Sequence, residues 1–381
     1  MATSKEIKEL RKNLTEEAKQ IMGWAESTNL LRLGQPILEL ERRGDFPAMF
    51  SGGESALVRK PITAIGINPY KNSEQGGTIF VYTQTMLTRP NQDALAETYQ
   101  GKSHLEFKVL KSFRAAPGAA PVGAVQTPRR IKGYIPCGSS ISLAVMRDAG
   151  TLGSLVWVND KLYGLSANHV TGGCSNAPVG SPILFPGILD VAPGVEDPLT
   201  IGHHYSGLIM SPGNPQPQIS AHSPQNLDAA IFSIRDPDTI TSLQGDFYDT
   251  PTQVETDLEL EDLDVEKVGR TTGHTTGFIE SLIVGYQPLS YKLKIFVSAS
   301  EQIPFEGIVY YKPTYLIRAE EGPFAQEGDS GAIVVSRLTD DNQTRKAVGL
   351  LIGGEGDVAL MLPLDPILKA FDAKLVSGYN V

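Results

Sequence analysis

Two cysteines in 381 residues are too few for a disulfide framework. Cys137 and Cys174 could pair with each other, but two reduced, packed thiols are the plainer expectation. Basic residues are also short: 33 Lys and Arg stand against 43 Asp and Glu, a formal net charge of −10. Non-specific nucleic-acid binding rests on neutralising phosphates with cations, so this balance argues against such a partner. No run approaches the ~20 consecutive apolar residues of a membrane span, and Met1–Leu10 has no apolar core of signal-peptide length. The chain is therefore expected to be cytoplasmic, without a membrane or nucleic-acid partner. Phosphate loops and dinucleotide fingerprints are missing too; Gly353-Gly354-Glu355-Gly356 lacks their strand-to-helix context. Of the six histidines, the adjacent His203 and His204 would point to opposite faces of a strand. Neither metal nor cofactor is expected.

The composition, 41% hydrophobic and 20% charged, is that of a globular chain, and its length suggests more than one domain. Residues 1–55 form an N-terminal helical segment: Ile7, Leu10, Leu14, Ala18 and Ile21 make a helical stripe among Lys, Glu and Arg, with helix expected from 5 to about 43. Residues 56–115 read as a small β-β-α-β domain, and 116–130, rich in Ala, Pro and Gly, as an extended linker. From 131 to 381 short apolar β-runs alternate with Gly, Pro, Asn and Asp, the pattern of an antiparallel barrel or sandwich. The acidic stretch 236–264 is expected to be a solvated insertion.

Gly328-Asp329-Ser330-Gly331, running into the apolar Ala332–Val335, is the most informative motif. Glycine before the serine lets the backbone aim two N–H groups at one point, where the oxyanion of an acyl-transfer intermediate would sit. Serine alone is a poor nucleophile and needs a base with an orienting carboxylate. His169, in Leu165-Ser166-Ala167-Asn168-His169-Val170, and Asp228, in Asn226-Leu227-Asp228-Ala229, are the candidates. The chain order His, Asp, Ser is that of the chymotrypsin template; subtilisin-type and α/β-hydrolase chains order their triads differently.

These motifs, with Gly269-Arg270-Thr271-Thr272-Gly273 between aspartate and serine, resemble the trypsin-like, chymotrypsin-fold serine peptidases. The bacterial branch with the α-lytic protease and streptogrisins is closest, and Ala149–Val170 also looks like intracellular trypsin-like proteins that keep an N-terminal domain. The resemblance spans roughly 131–375. It implies a mainly β fold, a double antiparallel β-barrel of chymotrypsin type preceded by a small α+β N-terminal domain, with the active site between the barrels. Two departures stand out: Cys174 lies five residues beyond His169 rather than beside it, and Ala332 takes a position more often glycine.

The implied roles are Ser330 as nucleophile, His169 as base, Asp228 as its orienting carboxylate, and the Gly328 and Ser330 N–H groups as the oxyanion hole. A buried ion pair between Arg270 and Asp329 is expected to support that loop. Phe324, six residues before Ser330, is expected to floor a shallow apolar pocket walled by Ile352, Gly353 and Gly354. The partner would be a protein or peptide substrate, with the N-terminal domain serving a regulatory partner or self-association. Three functions stand: a serine endopeptidase, a catalytically or conditionally silent scaffold of the same fold that binds a protein partner, or a protease that cleaves only itself or one dedicated partner.

Overall fold

A computed structural model describes residues 4–27, 62–111, 114–115, 130–192, 195–213, 225–257, 259–298, 300–339 and 343–381. The expected helix beyond Ser27 and the linker from 116 to 129 lie outside the described residues. Among those described, no helix is long and apolar enough to cross a membrane.

Helix α1 (Ser4–Ser27) buries Ile7, Leu14, Ala18, Ile21 and Trp24 on one face, the stripe that the three- and four-residue spacing predicts. Strands β1 (Ile62–Asn68) and β2 (Thr78–Thr83) are antiparallel; α2 (Arg89–Thr98) leads to β3 (His104–Val109), which lies parallel to β2. One face of this sheet carries Ile65, Ile67, Ile79, Val81 and Phe107 onto α1 and Leu95. The opposite face carries Ala64, Phe80 and Tyr82 into the main core of the molecule. The segment thus has its own apolar cluster on one side only. A two-residue strand, β4 (Arg114–Ala115), follows.

The next strands are β5 (Ile135–Cys137), β6 (Ser140–Leu143), β7 (Gly150–Thr151), β8 (Ser154–Val158) and β9 (Lys161–Ser166). After the single turn α3 (Asn168–Thr171) come β10 (Pro182–Phe185), β11 (Leu199–Gly207) and β12 (Ala230–Ile234). They pair in the order β8-β9-β12-β11-β10-β6, a curled sheet forming the first half-barrel. The acidic stretch 236–264 departs from expectation. It contains β13 (Ile240–Gln244) and β14 (Tyr248–Asp249), which join β5 in a small sheet. Ile240, Thr241, Ser242 and Gln244 are buried there, while Asp236, Asp238 and Asp246 flank the strand.

The second barrel uses β15 (Asp264–Gly269), β16 (Gly273–Ile283), β19 (Thr314–Ala319), β20 (Ile333–Ser336), β21 (Ala347–Glu355) and β22 (Val358–Pro363), with a hairpin of β17 (Gln287–Phe296) and β18 (Gln302–Tyr311) inserted before β19. The order β15-β20-β21-β22-β19-β16 closes because β15 also pairs with β16. Closure removes every free edge of those six strands. Helix α4 (Leu364–Phe371) and β23 (Ala373–Leu375) return the chain to β8 of the first half-barrel. The fold is the chymotrypsin-type double barrel.

The β-β-α-β segment continues the second barrel. Gly66 and Ile67 of β1 pair with Ile283 and Leu282 of β16, giving one nine-stranded sheet. Gly66 is required at that seam, since a Cβ there would collide with the Ser281 side chain. Polar anchors reinforce it: Tyr82 donates to Glu280 Oε2 (2.9 Å), Asn68 donates to the Glu280 carbonyl (3.0 Å), and Lys108 and Arg318 both pair with the Glu280 carboxylate.

Candidate active site

His169 sits in α3, one turn beyond β9, because the chain must leave the barrel edge after Ser166. Asp228 stands two residues before β12, which pairs with β9 through Ala230 and Ser166. That pairing alone brings histidine and aspartate together. The His169 backbone N–H donates to Asp228 Oδ1 (2.9 Å), and the ring Nδ1 meets Asp228 Oδ2 at 2.6 Å. The aspartate is fully buried and the histidine nearly so. Burial disfavours the imidazolium, but the Asp228 charge and hydrogen bond outweigh it, with Asp148 adding; the His169 pKa lies above its ordinary value. With Nδ1 committed to the carboxylate, Nε2 has no hydrogen-bond partner among the described residues.

Ser330 enters from the second barrel, three residues before β20. Gly331 packs so tightly on the end of β9 that a Cβ would crowd Ala167 N at 3.0 Å, and Thr151 N donates to the Ser330 carbonyl at 2.9 Å. These contacts seat the Ser330–Gly331 segment against β7 and the end of β9 in the first half-barrel. The Ser330 hydroxyl takes the Ile352 carbonyl as acceptor at 3.5 Å. Among the described residues, no hydrogen bond joins it to His169.

The loop before Ser330 is held open by its carbonyls. Thr271 Oγ1 donates to Glu327 O (2.7 Å) and Thr151 Oγ1 to Gly328 O (2.9 Å), drawing both oxygens inward. Gly328 carries φ +98°, which a side chain resists, and a Cβ there would run into the Arg270 guanidinium. Neither the Gly328 nor the Ser330 N–H donates to any described residue. Two donors therefore stand free beside the serine.

The expected Arg270–Asp329 pair is not formed. Arg270, fully buried, forks onto Asp190: Nε to Oδ2 at 2.5 Å and Nη2 to Oδ1 at 2.6 Å. Ser140 donates to the same carboxylate. Asp329 is instead surrounded by the Thr271 N–H (2.7 Å), the Thr272 N–H (3.2 Å), the Gln326 N–H (2.9 Å) and the Thr272 hydroxyl (2.8 Å). Its ionic partner is Lys267, fully buried at 3.6 Å. Burial works against the ammonium and leaves the Lys267 pKa below its ordinary value, although Asp329 opposes this. The physical reason for the exchange is direction: the backbone of Thr271 and Thr272 wraps Asp329, which leaves the long Arg270 side chain to reach the first half-barrel. It thereby ties the β15–β16 turn beside Gly328 to the first half-barrel.

Phe324 is fully buried among Ile279, Tyr315, Val348 and Leu351, with its ring near the Lys267 ammonium (6.0 Å). It packs the barrel core and shows no surface to a ligand, so it is not the exposed pocket floor expected. Ile352 is buried as well. Gly354 faces the loop that follows Phe324, and a Cβ on it would lie 2.7 Å from Ala325 Cβ. Gly354 and Ala325 therefore pack closely, with no room for a side chain on Gly354.

Four contributors were missed in the sequence: Lys267, Asp190, Thr151 and, most consequentially, Tyr291, whose hydroxyl donates to Asp228 Oδ2 at 2.9 Å. Only Tyr291 carried a usable signal, the alternation Leu289, Tyr291, Leu293, Ile295 on one buried strand face. Cys137 and Cys174 are both free and buried. His204 is buried on β11, where burial lowers its pKa against a hydrogen bond to the Thr171 backbone. Among the described residues, no three His, Cys, Asp or Glu side chains cluster as metal ligands would.

No family model and no curated protein matches the chain. Solved structures do. Thermobifida fusca protease A is 18% identical over 64% of this chain and 100% of its own, with a TM-score of 0.38. Nocardiopsis protease is 18% identical over 64% of this chain and 98% of its own (TM-score 0.37). Cellulomonas bogoriensis chymotrypsin is 16% identical over 64% of this chain and 99% of its own (TM-score 0.35).

Proposed function

We propose that the protein is a serine endopeptidase, with Ser330 as nucleophile, His169 as general base and acid, and Asp228 as the carboxylate that orients the imidazole. The reading is supported by the 2.6 Å His169 Nδ1–Asp228 bond beside the first half-barrel, together with a serine of the second barrel whose own N–H and that of Gly328 donate to no described residue. In the reaction, Ser330 Oγ turns from the Ile352 carbonyl toward Nε2, as catalytic hydrogen bonds commonly tighten only with substrate in place. It adds to the scissile carbonyl while His169 takes its proton. The oxygen that gains the electron pair is met by the N–H groups of Gly328 and Ser330. His169 then returns the proton to the leaving amine, and the C–N bond breaks to give an acyl-enzyme. Water, deprotonated by His169, releases the acid and restores the serine. The substrate is a protein or peptide with a small residue on the acyl side of the cut, because the Ala325–Gly354 approach leaves no depth for a large one.

A second reading, a conditionally silent scaffold, is favoured by the Ser330 hydroxyl resting on Ile352 and by the close packing of Gly354 on Ala325. Digestion of a peptide library separates the two. The endopeptidase reading expects cleavage after Gly, Ala or Ser, abolished in Ser330→Ala. Uncleaved peptides together with an unreactive Ser330 would favour the scaffold.

A further inference from the structure

Asp228 has more partners than a carboxylate needs merely to hold an imidazole. Oδ1 accepts the His169 backbone N–H, while Oδ2 accepts both the His169 ring and the Tyr291 hydroxyl. Tyr291 Oη is in turn 2.7 Å from Tyr311 Oη. Proton counting fixes the direction of this chain. Tyr291 has one hydroxyl proton and gives it to Asp228, so Tyr311 must donate to Tyr291. Both tyrosines are fully buried, and burial, then the Asp228 charge, pushes both hydroxyl pKa values well above the ordinary one. They are therefore neutral donors at any working pH.

The tyrosines belong to the other half of the molecule. Tyr291 lies on β17 and Tyr311 ends β18, the hairpin inserted into the second barrel. The hairpin crosses the cleft: Phe296 N donates to the Val145 carbonyl (2.8 Å), Pro212 bridges to Val309, and β4 pairs in parallel with Ser290 and Tyr291. The Tyr291 ring packs against His169 with centroids 5.5 Å apart, backed by Phe305 at 6.4 Å. Ten rungs of β17–β18 pairing make this a rigid arm.

We propose that Tyr291, supported by Tyr311, is a positioning residue for the His169–Asp228 pair, sharing Asp228 Oδ2 with the imidazole and so setting how strongly the carboxylate holds the His169 proton. Two donors on one oxygen compete for its charge, and in a buried site that competition is strong. The other titratable groups facing the pair are Asp148, which also raises the His169 pKa, and the buried Cys174 thiol, itself pushed up by burial and by Asp228 and Asp148. Neither is changed by removing the Tyr291 hydroxyl. The kinetic arm below rests on the endopeptidase reading; the spectroscopic arm does not.

The test is the titration of the His169 imidazole by ¹⁵N NMR in the full-length Ser330→Ala chain, with and without Tyr291→Phe. Losing the competing donor returns charge to the imidazolium, so the His169 pKa should rise by roughly half a unit or more. In the chain that keeps Ser330, Tyr291→Phe should lower kcat roughly tenfold, the scale of a hydrogen bond to a charged group. KM should barely move, and the acid limb of the pH profile should shift to higher pH. Tyr311→Phe should act in the same direction but less, and the double variant should match Tyr291→Phe. A folded Tyr291→Phe protein whose His169 titrates as before overturns the proposal. If that variant does not fold, an unshifted His169 in Tyr311→Phe overturns it instead. A shifted pKa in a chain that cleaves nothing would uphold the positioning role and count only against the peptidase reading.

Discussion

Asp228 and Asp329 are both fully buried on the two sides of one cleft, and the fold satisfies them in opposite ways. Asp329 is ringed by three main-chain N–H groups and a threonine hydroxyl, with the Lys267 ammonium at 3.6 Å behind them. Among the described residues Asp228 has a single main-chain donor; its other partners are an imidazole and a phenol, groups that carry or pass protons. A carboxylate held by backbone is a strut, because nothing around it changes protonation during a reaction. One held by His169 and Tyr291 answers to the proton on the ring beside it. Asp329 shapes the loop; in the proposed mechanism Asp228 governs the base.

The sharpest way to break that distinction is to treat both aspartates alike. Asp228→Asn should cut kcat by about 10⁴ through the wrong imidazole tautomer, while the unfolding midpoint stays near wild type. Ser330→Ala should lower kcat further, by roughly 10⁶, again with the fold intact. Asp329→Ala should act chiefly on stability, costing ~3–5 kcal/mol by stranding Lys267, with a smaller fall in kcat as the loop loosens. Urea unfolding at constant m-value reads that loss. If Asp228→Asn and Asp329→Ala gave the same profile in both assays, the contrast would be empty.

Arg270→Ala sharpens the comparison from the other barrel. It strands buried Asp190 and removes the support under Gly328, so ~3–5 kcal/mol of stability should go with a fall in kcat. Arg270→Lys should not rescue it, since one ammonium cannot copy the two-pronged contact. Full stability and activity in Arg270→Ala would show that Asp190 finds another partner.

The pH dependence separates the base from everything else. His169 must be neutral to accept the Ser330 proton, and its pKa is raised. Activity should therefore be lost as pH falls, with the midpoint above the ordinary histidine value of about 6.5. An acid limb below that value would contradict the Asp228 partnership.

The smallest expected effect concerns the N-terminal unit. Burial opposes the Glu280 charge, but Arg318 and Lys108 outweigh it and hold its pKa below the ordinary carboxylate range. A lowered carboxylate pKa contributes stability that is present above its unfolded value and lost as pH falls through the folded one. Glu280→Gln should cost about 1–3 kcal/mol and flatten the acid side of the stability curve, without touching kcat. Loss of activity in that variant would tie the β1–β16 seam to the site.

What could be read in the sequence was whatever chemistry is local. Gly328–Gly331 and the segment around His169 are short signatures in which a turn, a donor pair or a strand end dictates the residue types. The β-β-α-β order and the α1 stripe were legible for the same reason, since periodicity is local. Partner choice across long separations was not. Gly269–Gly273 marks where Arg270 stands in the chain, yet whether it reaches Asp329 or Asp190 depends on which backbone wraps which carboxylate, and Lys267 lay unremarked on the adjoining strand. The β1–β16 seam joins residues 66 and 283, a pairing no local pattern announces. Tyr291 combined both difficulties: its strand was legible by alternation, but its target lay 63 positions away.

The most direct measurement is the reaction of the full-length protein with a fluorophosphonate, followed by peptide mapping. The account predicts a single phosphonylated residue, Ser330, formed rapidly in the wild type, slowly in Asp228→Asn and not at all in Ser330→Ala. A wild-type chain that stays unmodified, or is modified elsewhere at the same rate in all three proteins, would contradict it.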